Sequence, residues 1–305
     1  MSTSEAEIRR ILAELSILAG LPGLAEAAVT PLPGGTARRS FLVQASGIDA
    51  VLRLPRPGLA QSLAGEAAAV RAAAAVDTGP QLLAESNAGL LIAHQPGRTL
   101  TPADLREVEV RHRICAALNR LHAAAAPATQ LDLAGWTSAY RRDLANSGIA
   151  EPAGYPLLLS ELSPIGRALE ATAMPEVAAH GDAVADNFVD DGERVHVIDL
   201  EYAVRAEPWF DLATLLDSAD STPGPGDLAA DLATAYSAVS PSAPRGDALV
   251  ARVRAWRLLA RAAWWPWAML PAQRSNPRAE RWRDWPALRE LVARELPGLV
   301  EDLRG

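Results

Sequence analysis

The chain has 305 residues, of which 29 are basic and 37 acidic, for a formal charge of −8. All 29 basic residues are arginine, which excludes a Schiff-base lysine, a lysine-activated nucleophile and the lysine of a phosphate-binding loop. An acidic balance without a basic tail argues against a nucleic-acid partner, and the single cysteine excludes a disulfide framework and a cysteine zinc site.

The apolar runs predict no membrane or targeting segment. The start of the chain is polar and acidic, unlike a signal peptide. The longest apolar stretch near the end, residues 262–272, is far shorter than the roughly 20 residues that a membrane helix needs. We therefore expect a cytoplasmic protein with no membrane partner, and the length predicts one large domain or two lobes with ample core.

The first part of the chain predicts a small sheet and two helices. Helical spacing of apolar residues runs from the capping pattern at residues 4–7 to Leu18. A second helix is predicted over residues 59–75. A loop of small residues, 33–36 (PGGT), separates two predicted strands. Strand signals cover residues 26–31, 39–45, 49–55, 81–84 and 90–93.

From residue 101 the pattern becomes helical. Thr101-Pro102 is a helix start, and the predicted helix continues to about His122. One β-hairpin is predicted at residues 187–200, with its turn at residues 190–193. Other helical segments cover residues 135–146, 156–172 and most of the chain after the hairpin. We expect an N-terminal lobe over residues 1–96, a helical lobe over residues 97–305, and a small-molecule cleft between them.

The residues around this hairpin carry the most specific chemical signal. Asp182 and Asn187 stand five positions apart on a loop, and Asp199 ends the return strand. Phosphoryl transfer needs a carboxylate that accepts the proton of the attacking hydroxyl, and hard oxygen ligands for Mg²⁺. We predict Asp182 as the base and Asn187 and Asp199 as metal ligands. Alternatively, Asp182 is a helix cap or turn residue, Asn187 is a turn amide and Asp199 is a polar residue at a strand end.

The pattern around the hairpin resembles that of a known family. His180-x-Asp182-x-x-x-x-Asn187 followed by Ile198-Asp199 resembles the catalytic and metal loops of the aminoglycoside phosphotransferase and choline kinase superfamily. Residues 199–202 (DLEY) look closer to its choline/ethanolamine kinase branch, and residues 207–213 (EPWFDLA) match the segment that follows in both branches.

This resemblance implies an α+β, protein-kinase-like fold of two lobes, with a small antiparallel sheet in the first and a mainly helical second lobe. It implies ATP and Mg²⁺ as cofactors and a small alcohol as acceptor of the phosphoryl group. It also implies that His180 braces the catalytic loop by hydrogen bonding and does not take the proton.

The resemblance extends to the N-terminal lobe. The backbone of Gly34, Gly35 and Thr36 would cover the nucleotide, Arg53 would contact its phosphates, and Glu66 would orient Arg53. Many kinase-like folds use lysine on that strand, but the planar fork of arginine suits bidentate contacts to phosphate. Alternatively, the glycines form an ordinary turn, Arg53 is an exposed strand residue and Glu66 is a solvated charge on a helix.

The segment after the glycines departs from the family pattern. It carries Ala37-Arg38-Arg39, where relatives often have asparagine. Neighbouring strand residues point to opposite faces, so at most one of the two arginines faces the phosphates.

The acceptor is less clearly encoded. Seven of the eight tryptophans follow residue 208, and tryptophan is the best ring face for a quaternary ammonium. We expect Trp209, Trp264 and Trp267 to line the acceptor pocket and Glu201 to lie near the cation, which favours a choline- or ethanolamine-like alcohol. Alternatively, the tryptophans are core residues.

Other functions are compatible with parts of the pattern. An aminoglycoside acceptor would use carboxylates such as Asp217, and thiamine would suit the aromatic residues almost as well as choline. A catalytically silent kinase-like binding module is the alternative outside enzymes. A hydrolase has no Gly-x-Ser-x-Gly motif to support it.

Overall fold

The computed structural model describes residues 5–32, 38–45, 47–55, 62–219, 226–240, 246–274 and 276–304. Its α-helices are α1 Glu5–Leu18, α2 Leu63–Ala75, α3 Val108–His122, α4 Leu133–Asn146, α5 Tyr155–Ala171, α6 Pro208–Ser218, α7 Leu228–Val239, α8 Asp247–Met269, α9 Pro277–Arg283, α10 Trp285–Glu295 and α11 Leu299–Asp302. Its strands are β1 Ala28–Pro31, β2 Arg38–Ala45, β3 Ile48–Pro55, β4 Leu82–Ser86, β5 Gly89–Ala93, β6 Arg98–Thr99, β7 Val177–Ala179, β8 Phe188–Asp190, β9 Val195–Val197 and β10 Val204–Ala206.

The expected α+β fold of two lobes is confirmed. The N-terminal lobe holds an antiparallel sheet of five strands in the order β1-β2-β3-β5-β4. Side chains alternate between its faces: Leu52 and Leu91 pack with α1, whereas Leu90 and Ile92 pack with α2. Arg53 follows Leu52 and therefore lies on the α2 face, where Glu66 is also found.

Helix α2 ties the two lobes together. Its residues Val70 and Ala73 share one apolar core with Val197 and with helices of the second lobe. Just after α2, the carbonyl oxygen of Thr78 accepts from Val197 N (2.7 Å), and the Thr78 hydroxyl donates to the carbonyl oxygen of Ala117 (3.1 Å). The side chains of α2 are therefore held at a fixed place above the second lobe. The division of the chain after residue 96 stays a prediction.

The predicted elements are present, with local differences. The hairpin forms as β8 and β9, but the helix predicted from Thr101 is interrupted. A 3-10 turn, Pro102–Arg106, ends at Glu107, whose extended backbone (φ −82°, ψ 126°) separates it from α3. The pair β7–β10 was missed, because three-residue strands carry too short a pattern and form through a contact distant in sequence.

The second lobe contains buried ion pairs along α8. Arg252 pairs with Glu207 (2.5 Å), and Arg261 pairs with Asp217 (2.8 Å). Cys115 is a buried core thiol, and burial raises its pKa to about 12, so it stays protonated. Among the described residues, no helix has both the length and the apolar character needed to cross a membrane.

The Glu207–Arg252 pair gives a stability prediction. Glu207 also accepts from Trp256 Nε1 and Met174 N, both at 2.9 Å. Glu207→Gln leaves a buried guanidinium without its counter-charge, so we expect the free energy of unfolding in urea to fall by about 3–5 kcal/mol. The control is Glu85→Gln in the exposed pair with Arg71, expected to cost at most about 1 kcal/mol. Equal losses in the two variants would contradict this account.

Candidate active site

The loop between β7 and β8 holds Asp182 and Asn187 against each other. Asn187 is fully buried, and its Nδ2 donates to the Asp182 carbonyl oxygen (2.8 Å) and to the Asp182 carboxylate (3.2 Å). Val184 N also donates to the Asp182 carbonyl oxygen (2.8 Å). Asp182 itself is half-buried, so its carboxylate is fixed in place yet still reached by solvent.

His180 connects this loop to the end of the hairpin. The ring is fully buried, and its Nε2 donates to the carbonyl oxygen of Ile198 (2.9 Å). Its Nδ1 accepts a long hydrogen bond from Asp182 N (3.4 Å). These contacts fit the bracing role that the resemblance implied for His180.

Asp211 is a site residue that sequence reasoning missed. It is fully buried in the first turn of α6, and it accepts from His180 N (2.8 Å) and Gly181 N (3.0 Å). It also accepts from His122 Nε2 (2.9 Å), whose Nδ1 lies 2.6 Å from the Tyr236 hydroxyl. The signal was present: a carboxylate inside the otherwise apolar segment of residues 208–213 requires buried partners.

The backbone is unusual at two positions of the site. Asp199 has φ +64°, one of two non-glycine residues with positive φ in the described part of the chain. This left-handed conformation costs roughly 1–2 kcal/mol, and such outliers concentrate at functional sites. Gly181 has φ +80°, and a Cβ there would overlap the carbonyl oxygen of Tyr202. The catalytic loop therefore passes the 199–202 turn at a distance that glycine alone allows.

Arg53 joins the two lobes through three carboxylates. Its Nη2 donates to Asp199 (2.6 Å) and Glu201 (2.9 Å), both in the second lobe. Its Nε lies 2.5 Å from Glu66 on α2. Burial alone would lower the pKa of Arg53, but the charges of Asp199, Glu66 and Glu201 and the hydrogen bond to Asp199 outweigh it and raise the pKa. The guanidinium is therefore permanently charged.

Glu66 also forms an ion pair with a second arginine, Arg38. Arg38 Nε donates to the other Glu66 oxygen (2.8 Å), and Arg38 is 1% exposed. Neighbouring Arg39 points to the opposite face of the strand, and its Nη2 reaches the carbonyl oxygen of Pro55 at 3.4 Å. Glu66 is thus fixed at both oxygens, which holds Arg53 in one orientation. The predicted nucleotide loop, with Gly34, Gly35 and Thr36, lies outside the described residues.

An aromatic cluster lies beside the catalytic loop, centred on Trp264. Its ring centroid is between 5.6 and 6.2 Å from those of five other aromatic side chains, namely Trp136, Tyr140, Tyr202, Trp267 and Trp282. Burial, followed by the charges of Asp143 and Asp182, raises the pKa of Tyr140. The cluster reaches the loop through Tyr202, whose carbonyl oxygen lies directly against Gly181.

The structure brings together two of the three predicted tryptophans. Trp264 and Trp267 are in the cluster, but Trp209 packs against Tyr236 in a separate core, with its Nε1 3.4 Å from Met174 Sδ. The half-buried rings of Trp136 and Tyr140 were missed. Their i,i+4 spacing, which places both on one face of α4, was the available signal.

Glu201 is placed differently from the expectation. Its carboxylate bonds Arg53, in the ion network between the lobes, and the side chain is 2% exposed. The buried carboxylate at the aromatic cluster is that of Asp217, which accepts from Trp282 Nε1 (2.5 Å) and Arg261 Nη1 (2.8 Å).

The donor atoms of the site suit Mg²⁺. Asp199 offers carboxylate oxygens, and Asn187, whose amide nitrogen is used within the loop, offers an amide oxygen. Among the described residues, no three His, Cys, Asp or Glu side chains form a ready-made metal site. Mg²⁺ typically takes one or two protein carboxylates and completes its shell with waters and substrate phosphates, so this small donor set fits the ion.

Comparison with known proteins shows the family of the chain. Residues 28–267 match the model of the phosphotransferase enzyme family. No curated protein sequence matches the chain.

Solved structures share the fold over most of the chain. A choline/ethanolamine kinase family protein from Mesorhizobium loti superposes with a TM-score of 0.78 at 24% identity, covering 98% of each chain. A choline kinase from Cryptosporidium parvum gives 0.75 at 16% identity, covering 99% of this chain and 100% of that one. An aminoglycoside-3'-phosphotransferase of type VIII gives 0.57 at 20% identity, covering 83% and 98%.

The role of Asp211 can be tested directly. Asp211→Asn replaces one acceptor oxygen by a donor. At least one N–H of His180, Gly181 and His122 then loses its acceptor, and the others lose a charged partner. We expect a loss of about 1–3 kcal/mol in the free energy of unfolding and faster amide hydrogen exchange at residues 180 and 181. Asp231→Asn, at a carboxylate that is 45% exposed, is the control. Unchanged exchange at both amides would refute the role.

Proposed function

The chain belongs to the phosphotransferase enzyme family, and on that premise we propose that it is an ATP- and Mg²⁺-dependent kinase. Its acceptor is the hydroxyl of a small, cationic alcohol of the choline or ethanolamine type. The observation that carries the proposal is the ion pairing of Arg53 with Glu66 on one side and with Asp199 on the other. It joins a phosphate-binding cation of the first lobe to a metal-binding carboxylate of the second.

Asp182 is the proposed base. Its carboxylate accepts the proton of the acceptor hydroxyl as that oxygen attacks the γ-phosphorus of ATP. Asn187 and His180 fix the Asp182 backbone and side chain, which positions the carboxylate before the acceptor arrives. Positioning of this kind is a large part of catalysis in phosphoryl transfer, because the transition state demands little covalent chemistry from the protein.

Arg53 is proposed to bind the α- and β-phosphates. Its Nε stays on Glu66, while Nη2, which here bonds Asp199 and Glu201, turns to phosphate oxygens. Asp199 and Asn187 then hold the metal. Mg²⁺, when bound, neutralises charge on the phosphates. The backbone of Gly34, Gly35 and Thr36 covers the nucleotide, and closure of the lobes excludes water.

The aromatic cluster is proposed to hold the acceptor. Trp136 and Tyr140 are half-buried and offer ring surface to a ligand, while Trp264 and Trp267 of the same cluster are buried. A trimethylammonium or ammonium group lies favourably over such rings, at about 0.5–2 kcal/mol per contact. The cation would then sit against the rings and direct its hydroxyl to Asp182. Glu201 supplies negative charge to the same cleft, although its direct partner is Arg53.

An acceptor panel tests this function. We expect ATP consumption with choline or ethanolamine to exceed that with thiamine, homoserine and an aminoglycoside. Asp182→Ala should lower turnover by about 10²–10⁴-fold, while calorimetric titration with ATP and Mg²⁺ still shows binding.

The other outcomes of the panel separate the alternatives. If turnover is highest with an aminoglycoside or thiamine, the proposed acceptor is wrong and the proposed kinase activity stands. The absence of both turnover and Mg²⁺-dependent stabilisation by ATP would favour a silent binding module.

Arg53→Lys asks whether charge alone is sufficient at the phosphates. The single ammonium nitrogen of lysine cannot contact Glu66 and the phosphates at the same time, as the several nitrogens of a guanidinium can. Losing one charge-assisted hydrogen bond costs about 1.5–3 kcal/mol. We expect kcat/KM for ATP to fall by about 10- to 100-fold, with KM for the acceptor unchanged. Arg71→Lys, at an exposed arginine, is the control. Normal ATP kinetics in Arg53→Lys would remove Arg53 from the phosphate site.

A further inference from the structure

A cleft of about 660 Å³ lies on the other side of α4 from the aromatic cluster. Trp136 and Tyr140 point from α4 into the cluster, whereas Thr137, Ser138 and Arg141 of the same helix line the cleft. Helices α5 and α8 form the other walls. This volume is within the range of pockets that bind small molecules, about 300–1,000 Å³.

The cleft is separate from the candidate active site. Its lining includes none of Arg53, Asp182 and Asp199. It reaches Glu176, which precedes β7, and Ala206, which ends the antiparallel partner β10. The catalytic loop leaves β7 at the opposite end of that strand, so a ligand in the cleft would not occupy the place of the acceptor.

The inner walls of the cleft are apolar. They are formed largely by side chains of α5 and α8 and of the segment after α5, among them Leu159, Leu162, Leu169, Met174, Trp256 and Leu259. Such a lining binds a hydrocarbon body, because each buried methylene contributes about 0.8 kcal/mol.

Gly166 enlarges this space. It lies in the interior of α5, where glycine costs about 1 kcal/mol relative to alanine. Its backbone does not need glycine, since its φ is not positive, and an added Cβ would meet no atom within 4 Å. Neither the backbone nor the packing explains this residue. What its missing side chain provides is room in the cleft.

The rim of the cleft is negatively charged. Among its lining residues, Glu176 and Glu207 are neutralised by Arg205 and Arg252. Asp132 and Glu170 form no ion pair within the described part of the chain, and the cleft's arginine, Arg141, is bonded to Glu151. Asp132 uses one carboxylate oxygen to cap α4, where it accepts from Gly135 N (2.8 Å). Its other oxygen and the carboxylate of Glu170 remain to attract a positive charge.

We propose that this cleft binds a small amphipathic cation, an ammonium group on a hydrocarbon body. The body lies between α5 and α8, and the ammonium lies at the rim near Asp132 and Glu170. The site does not depend on the proposed kinase function, because it is defined by its own volume, lining and charge.

Calorimetric titration of the full chain with n-octylammonium tests this site. We expect one molecule bound per chain, at least tenfold tighter than octanoate, which has the same carbon chain and the opposite charge. Excess choline should leave the affinity unchanged, because choline is proposed to bind at the aromatic cluster. Displacement by choline, or equal affinity for octanoate, would overturn the site.

Two variants locate the ligand. Gly166→Leu should reduce octylammonium affinity at least tenfold while keeping the melting temperature, since leucine favours the helix and meets open space. Gly23→Leu, at another open glycine, is the control. Glu170→Gln should weaken octylammonium about two- to fivefold and leave octanoate no weaker. Unchanged octylammonium affinity in folded Gly166→Leu would place the ligand elsewhere and end the proposal.

Discussion

The site depends on the ion pairs that the guanidinium of Arg53 makes with carboxylates of both lobes. It is buried, it carries a permanent charge, and it touches carboxylates from both lobes. A charge in this position is tolerated because Glu66, Asp199 and Glu201 surround it, and those carboxylates are tolerated because the arginine is there. The alternation of side chains along β3 places Arg53 on the face of the sheet that α2 covers, and α2 carries Glu66. The left-handed turn at Asp199 carries the other two partners, Asp199 and Glu201. Arg38 then fixes Glu66 from its other oxygen.

A second buried carboxylate organises the catalytic loop. Asp211 accepts from two successive backbone N–H groups of the loop, at His180 and Gly181, and from His122 behind it. The loop therefore keeps its shape through α6 and α3, which are part of the largest apolar core. Asp182 gains its fixed position from this arrangement, although it remains half-buried. The proposed base must stay accessible to substrate, so its rigidity comes from neighbours that are themselves fully buried.

The aromatic cluster around Trp264 was predicted only in part from the sequence. Trp264 and Trp267 were identified, and they do lie together, because residues three apart share a helix face. Trp209 was grouped with them by composition alone, but its helix turns it toward Tyr236. Trp136 and Tyr140 come from a helix more than a hundred residues earlier, and nothing in a single sequence pairs α4 with α8. The role expected of Glu201 likewise depended on a neighbour, Arg53, that local spacing does not reveal.

The sequence by itself determined the two-lobe α+β fold, most helices and strands, the loop that carries Asp182 and Asn187, and the position of Asp199 at the end of the hairpin. These features are local: they follow from periodicity, turn residues and fixed spacing. The absence of lysine also required that any phosphate-binding cation be an arginine. Only the tertiary structure decided that Arg38 shares Glu66, that Asp211 holds the catalytic loop, and which rings surround Trp264. Each of those contacts joins segments far apart in the chain, and long-range pairing is set by how whole elements pack.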